Sequence, residues 1–184
     1  FGNTTRTGYY AVKFRVEVPS PFGVDWPVIR LAEVLLIHAE ALFEKNGSIT
    51  DQQLDLTINK LRDRAGLPAL TNSFVSTNGL DMRTEIRRER TIELFLEGFR
   101  FDDLRRWKNA ETEMPMALEG VLWRGTQYDT DSRWGDIDFP QNGDGYIIVE
   151  PTGKRKFEEK HYLFPLPTRQ ILLNPNLEQN PGWS

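Results

Sequence analysis

Cysteine is absent from this 184-residue chain. That excludes disulfides, thiol nucleophiles and cysteine metal sites, and it leaves the compartment open. No stretch approaches the roughly 18 apolar residues of a membrane-spanning helix. Histidine occurs only as His38 and His161, too far apart for an HExxH zinc motif. There is no basic run: arginines interleave with acids and the net charge is −4, so no nucleic-acid partner is expected. No G-x-S-x-G elbow and no phosphate loop occurs, and no cofactor is expected. The chain opens at Phe1, without a Met or a charged segment leading an apolar one. It is therefore expected to be part of a longer protein, with any targeting or lipidation signal upstream.

What remains is ordinary for a soluble fold: 39% hydrophobic and 27% charged residues in a chain long enough for a real core. The organising stretch is MRTEIRRERTIELFLEGFRFDDLRRW, Met82 to Trp107. Read as a helix at about 100° per residue, it aligns Met82, Ile86 and Leu96 on one face. Glu89, Arg90, Glu93 and Glu97 fall on that same face. Carboxylates spaced i, i+4, i+8 repel unless cations sit between them. A buried unpaired ion costs several kcal/mol, so the face predicts a paired ionic cluster. Arg90 can reach Glu93 or Glu97 within the helix, and Arg100, Arg105 and Arg106 follow. Gly98 is expected to end the helix, and Asp102 to cap a short second one through Trp107, with Asp103 in its first turn. Carboxylates four apart on one helix point the same way. They do not face each other across a cleft as a glycosidase requires, so the structural reading is preferred.

From the start, Val12, Phe14, Val16 and Val18 alternate as in a strand. Asp25-Trp26-Pro27 opens a long helix to about Lys45, with Pro27 in its first turn. Arg30, Glu33, Glu40 and Glu44 form one polar stripe on it, and nearly everything else is apolar, as in a helix sandwiched between neighbours. His38 lies off the polar stripe and is expected to be packed or hydrogen-bonded. Thr50 and Gln53 form a capping box for a second helix to about Arg64, with Leu54, Ile58, Leu61 and Ala65 inward and Gly66 and Pro68 as stops. Such a helix–turn–helix is the unit of tetratricopeptide-like arrays. No clean second copy is visible, and the Met82 helix is the candidate for the next layer. Residues 68–80 read as a polar connection.

The segment from Asn109 to Pro140 reads as long and irregular. It carries Trp123, Tyr128, Trp134 and Phe139 among Arg, Asp and Gln. Rings interleaved with polar groups suit sugar stacking; they equally suit packing a long loop onto helices. Trp123, Tyr128 and Trp134 are the candidate ligand-binding residues on this chemistry. Asp129, Asp131, Asp136 and Asp138 fail the calcium-loop pattern, because Arg133 and Trp134 occupy required positions. No metal site is assigned. Tyr146 to Val149 reads as a strand, and the tail HYLFPLPTRQILLNPNLEQNPGW as an extended surface segment.

Three segments then combine: DWPVIRLAEVLLIHAEALFE with INKLRDRAGL, IRRERTIELFLEGFRFDDLRRW, and KHYLFPLP through NPNLEQNPGW. In this order and spacing they closely resemble the C-terminal part of SusD/RagB proteins. The resemblance implies a mainly α fold of tetratricopeptide-like helix pairs, long irregular loops and little β. Residues 25–108 would be the helical scaffold, 109–184 the long loop and extended C-terminal segment, and the N-terminal part would be absent. It implies no catalysis. It implies a lipoprotein on the outer face of the outer membrane, anchored through an N-terminal cysteine not in this chain. That protein would capture glycans or other nutrients for a TonB-dependent, SusC-like transporter. Glu89, Arg90, Glu93, Glu97, Arg100, Asp103 and Arg106 match the family's motif as a structural ionic cluster. No binding residue carries over by motif.

Overall fold

The computed structural model describes residues 5–14, 27–131 and 139–183. Among them are eight α-helices, one 3-10 turn and one two-stranded sheet, so the fold is mainly helical. The chain divides into two compact units: Phe14–Arg100, and Phe1–Lys13 together with Phe101–Ser184.

The first unit is helical. α1 spans Leu31–Asn46 and starts at Leu31 rather than Pro27. Gly47 closes it at φ 70°, donating its N–H to the Phe43 carbonyl at 2.8 Å. The expected capping box is present: Thr50 Oγ1 accepts from Gln53 N–H, and Gln53 Oε1 accepts from Thr50 N–H. The helix it starts is broken, however, into α2 (Asp51–Leu56) and α3 (Ile58–Arg64). The break is at Thr57, which is fully buried and donates its hydroxyl to the Gln53 carbonyl at 2.6 Å. That bond takes an acceptor the helix ladder would use, and β-branching adds crowding. Leu54, Ile58 and Leu61 point inward as expected, whereas Ala65 is exposed beyond the last turn. Gly66 ends α3 in a two-bond turn: its N–H goes to Asp63 and the Leu67 N–H to Arg62.

The polar connection 68–80 contains a short helix, α4 (Asn72–Thr77), capped by Thr71, with Leu70 and Val75 buried. Asn59 holds its entrance. Its side chain accepts from Leu70 N–H at 2.7 Å and donates to the Leu70 carbonyl at 3.0 Å. α5 (Met82–Glu93) is capped by Asp81 and buries Met82, Glu85, Ile86 and Arg90. It ends before Gly98 because Arg30 Nη2 donates to the Glu93 carbonyl at 2.7 Å, where the Glu97 N–H would bond in a longer helix. The Glu97 N–H turns instead to Leu94, and Leu96 takes φ 63°. Leu94 joins the core formed by Ala32, Leu36, Ala39, Ile49, Leu54, Ile58, Leu70 and Ile86.

α1 and α5 run antiparallel. Arg30 ahead of α1 meets Glu93 and Glu97 at the end of α5, while Glu44 at the end of α1 meets Arg83 at the start of α5. The two ends of the polar stripe of α1 therefore meet α5, with Glu40 buried between them and Glu44 exposed. The opposite apolar face, including Leu31, Val34 and Ile37, is exposed, and so is His38. The expected sandwich is thus observed on one side only.

The second unit is built differently. α6 (Arg100–Arg106) carries Asp102 and Asp103 inside its first turn, so Asp102 is not the cap. α7 (Ala110–Glu113) follows, then β1 (Leu118–Leu122), both inside the segment expected to be irregular. β1 pairs antiparallel with β2 (Tyr146–Glu150), the expected strand. Gly120 hides β1 from a propensity reading, yet the glycine is needed: a Cβ there would lie 2.5 Å from the Thr7 carbonyl oxygen. The Thr7 carbonyl accepts from Val121 N–H at 2.8 Å, so the start of the chain lies along β1. Val12 is exposed coil and not strand; Val16 and Val18 lie outside the described residues.

The tail is not simply extended. It contains a 3-10 turn (Glu159–Tyr162) and α8 (Thr168–Leu173), which starts behind Pro167, where a missing N–H costs little. Its asparagines, glutamine and tryptophan buckle it back on itself. Gln179 satisfies both backbone groups of Leu166, Asn180 donates to the Phe164 carbonyl, and Trp183 Nε1 donates to the carbonyls of Lys160 and Leu163. Phe157 and Tyr162 pack there with Leu104 and Ala110.

Candidate functional site

Two groups of residues stand out, one mostly in the helical unit and one in the other. The first is ionic. Arg30 places Nε and Nη2 on the two Glu97 oxygens, each at 2.6 Å, and Nη1 on Glu93 at 2.6 Å. The fork geometry suits a two-toothed carboxylate contact that lysine could not make. These bonds, Glu97 first and Glu93 next, hold the Arg30 guanidinium well above its ordinary pKa against the opposing effect of burial. Arg64 adds a second cation to Glu93 at 2.7 Å, and Arg62 pairs with Glu89. Arg90 is buried, with its guanidinium 5.3 Å from the Phe99 ring centroid. Arg100 donates to Thr91 Oγ1 at 2.8 Å. Asp103 and Arg106 pair with each other at 2.8 Å one turn apart on α6.

The three glutamates thus draw cations from outside their own helix. Arg30, Arg62 and Arg64 are members of the cluster that the linear reading left out. The clue was available for Arg30: it is the cation standing just before a helix rich in apolar residues. The arrangement clamps helices. It offers no opposed pair of carboxylates with room for a substrate between them. Among the described residues no three His, Asp or Glu side chains converge to hold a metal ion.

The second group is aromatic. The chain leaves β1 at Leu122 and turns sharply. Trp123 N–H donates to the Gly145 carbonyl at 2.9 Å, and Thr126 donates both its N–H and its hydroxyl to the Trp123 carbonyl. Asp129 Oδ2 accepts from Gly125 N–H at 2.9 Å and closes the loop. Gly145 is required opposite: its φ is 91°, and a Cβ there would lie 2.5 Å from Arg124 Cβ. The backbone of this turn is therefore fixed at several points.

It presents Trp123 and Tyr128 with ring centroids 6.4 Å apart and planes inclined by 27°, a stacked pair. Phe139, which the sequence reading noted without selecting, stands edge-on to Trp123 at 5.0 Å. Trp123 is half-buried and Tyr128 is 43% exposed, so the rings back one another while leaving aromatic surface in solvent. Arg124 and Asp129 flank them with polar groups. Trp134, Asp136 and Asp138 lie outside the described residues.

The sequence model of the SusD family matches residues 2–183. A curated "SusD-like protein" of Bacteroides ovatus is 26% identical over 166 residues, which are 84% of this chain and 29% of that protein. Among solved structures, a SusD-like carbohydrate binding protein from Bacteroides fragilis is 36% identical, with a TM-score of 0.62, over 83% of this chain and 28% of that one. A second SusD-like protein from Bacteroides fragilis is 30% identical, with a TM-score of 0.60, over 90% of this chain and 28% of that one. The chain thus spans less than a third of the length of these relatives.

Proposed function

Because the chain belongs to the SusD family, we propose that it is the C-terminal part of a non-catalytic glycan-binding protein of the cell surface. In this reading the complete protein is anchored to the outer face of the outer membrane by a lipid on an N-terminal cysteine. It holds oligosaccharides for import through a partner TonB-dependent, SusC-like transporter. The observation that carries the ligand class is the Trp123–Tyr128 pair, a partly exposed aromatic surface with polar neighbours on a fixed turn. Sugar rings have apolar faces and hydroxylated edges, so a stacked ring surface beside Arg124 and Asp129 meets both. A solved relative described as a carbohydrate binding protein supports the same class.

The ionic cluster supports the non-catalytic reading. Glu89, Glu93 and Glu97 have guanidinium partners and act as clamps between helices. Titration of the complete protein with an oligosaccharide panel by calorimetry tests the reading. Heat with one glycan class, abolished by Trp123→Ala and reduced by Tyr128→Ala, is the expected result. New reducing ends after prolonged incubation would overturn it.

A further inference from the structure

The aromatic turn leans on a hairpin loop, and one side chain shapes that loop. Gln141 bridges Ile147, and Asn142 N–H donates to the Tyr146 carbonyl at 2.9 Å, so residues 143–145 join the two sides. Gly145 N–H returns to the Asn142 carbonyl at 3.1 Å, and Gly145 takes φ 91°. A tight turn followed by a left-handed residue is a common three-residue hairpin connection. Its carbonyls serve the aromatic turn. Gly145 accepts from the N–H groups of Trp123 and Arg124 at 2.9 and 3.2 Å, and Gly143 accepts from Arg124 Nη1 at 3.1 Å.

The Asn142 side chain ties this loop together. Its Oδ1 accepts from the Asp144 and Tyr146 N–H groups, each at 3.0 Å. Its Nδ2 donates to Glu119 Oε1 on β1 at 2.8 Å. The partners fix which way the amide points: only its oxygen can take two N–H groups, and only its NH2 can meet a carboxylate. The oxygen therefore sets the shape of the loop, while the nitrogen ties the loop to the strand that runs into Trp123. An aliphatic side chain offers neither. Aspartate offers the first but sets two carboxylates against each other, and neighbouring like charges disfavour that state.

We propose that Asn142 is a positioning residue for the Trp123–Tyr128 surface, acting through the Gly145 carbonyl on one side and Glu119 on the other. Its effect on glycan affinity rests on the glycan reading. Its effect on the rings does not, so the two can fail separately.

Near-UV circular dichroism of the protein made from its complete reading frame isolates the ring pair, as the wild-type spectrum minus that of Trp123→Phe. Asn142→Ala is expected to lose most of that difference band. It should also weaken glycan binding about tenfold, because a binding surface must be held to within about 0.5 Å to keep its contacts. Asn142→Asp should weaken the band at neutral pH. The double variant Asn142→Asp/Glu119→Gln should recover it, since the glutamine amide donates where the carboxylate repelled. This pair carries the test if Asn142→Ala does not fold, and recovery of the ring band is a signal that a mere loss of stability among folded variants does not produce. A full band and wild-type affinity in folded Asn142→Ala would overturn the proposal. So would a band lost in Asn142→Asp and still absent from the double variant. If Trp123→Ala itself leaves glycan affinity unchanged, the glycan reading falls and the band alone decides.

Discussion

The α1–α5 pair and the 123–129 turn solve opposite problems with the same materials. In the helix pair, side chains hold the backbone: Arg30 spans two carboxylates and a helix-end carbonyl, and Glu97 is almost wholly buried beneath it. In the turn, the backbone holds the side chains. The carbonyls of Gly145 and Trp123, the Thr126 hydroxyl and the Asp129 carboxylate fix the loop. The rings of Trp123 and Tyr128 are left partly in water. A group whose hydrogen-bonding capacity is consumed inside the fold can contribute stability but little chemistry. A ring braced from behind retains a face for something else.

That contrast can be broken at its strongest point first. Arg30→Ala removes the two-toothed contact on Glu97 and one of the guanidinium partners of Glu93. A loss of about 3 kcal/mol is expected, read as a lower urea midpoint, because charge-assisted hydrogen bonds in a partly buried site are lost. Asn59→Ala removes both hydrogen bonds to Leu70, and leaving that buried backbone unpaired should cost about 1–3 kcal/mol in the same measurement. Thr50→Ala removes the capping box of α2 and should cost about 1 kcal/mol. The smallest effect is acid-dependent. The Asp81 carboxyl is held below its ordinary pKa by the Thr84 hydroxyl and then the Thr84 N–H. Its folded pKa is depressed, so its contribution is present above the unfolded value, near 3.9, and is lost as pH falls through the folded one. Asp81→Asn should lower neutral stability slightly, leave stability at low pH almost unchanged, and so flatten the acid limb of a stability-versus-pH curve.

Much of the helical unit was legible because its signals are local. The capping box at Thr50 and the glycine stops at Gly47 and Gly66 each act within a few residues. What escaped the reading depended on contacts distant in sequence. The early end of α5 is imposed by Arg30, 63 residues away along the chain. Three cations of the glutamate ladder, Arg30, Arg62 and Arg64, come from elsewhere in the chain for the same reason. β1 was hidden by Gly120, whose purpose is visible only once Thr7 lies against it. The break at Thr57 was local and readable in principle, since a buried threonine can bond back to the preceding turn. At the aromatic group, composition pointed to Trp123 and Tyr128. Nothing in composition said that Asp129 would close their turn or that Phe139 would brace Trp123.

The most direct measurement is a paired one on the complete protein: thermal midpoint and glycan affinity for Arg30→Ala and Trp123→Ala side by side. A double separation is expected. Arg30→Ala lowers the midpoint and, assayed below it, binds glycan as the wild type does, while Trp123→Ala loses the binding heat with a far smaller change in midpoint. Unchanged affinity in folded Trp123→Ala, or lost affinity in folded Arg30→Ala, would contradict it.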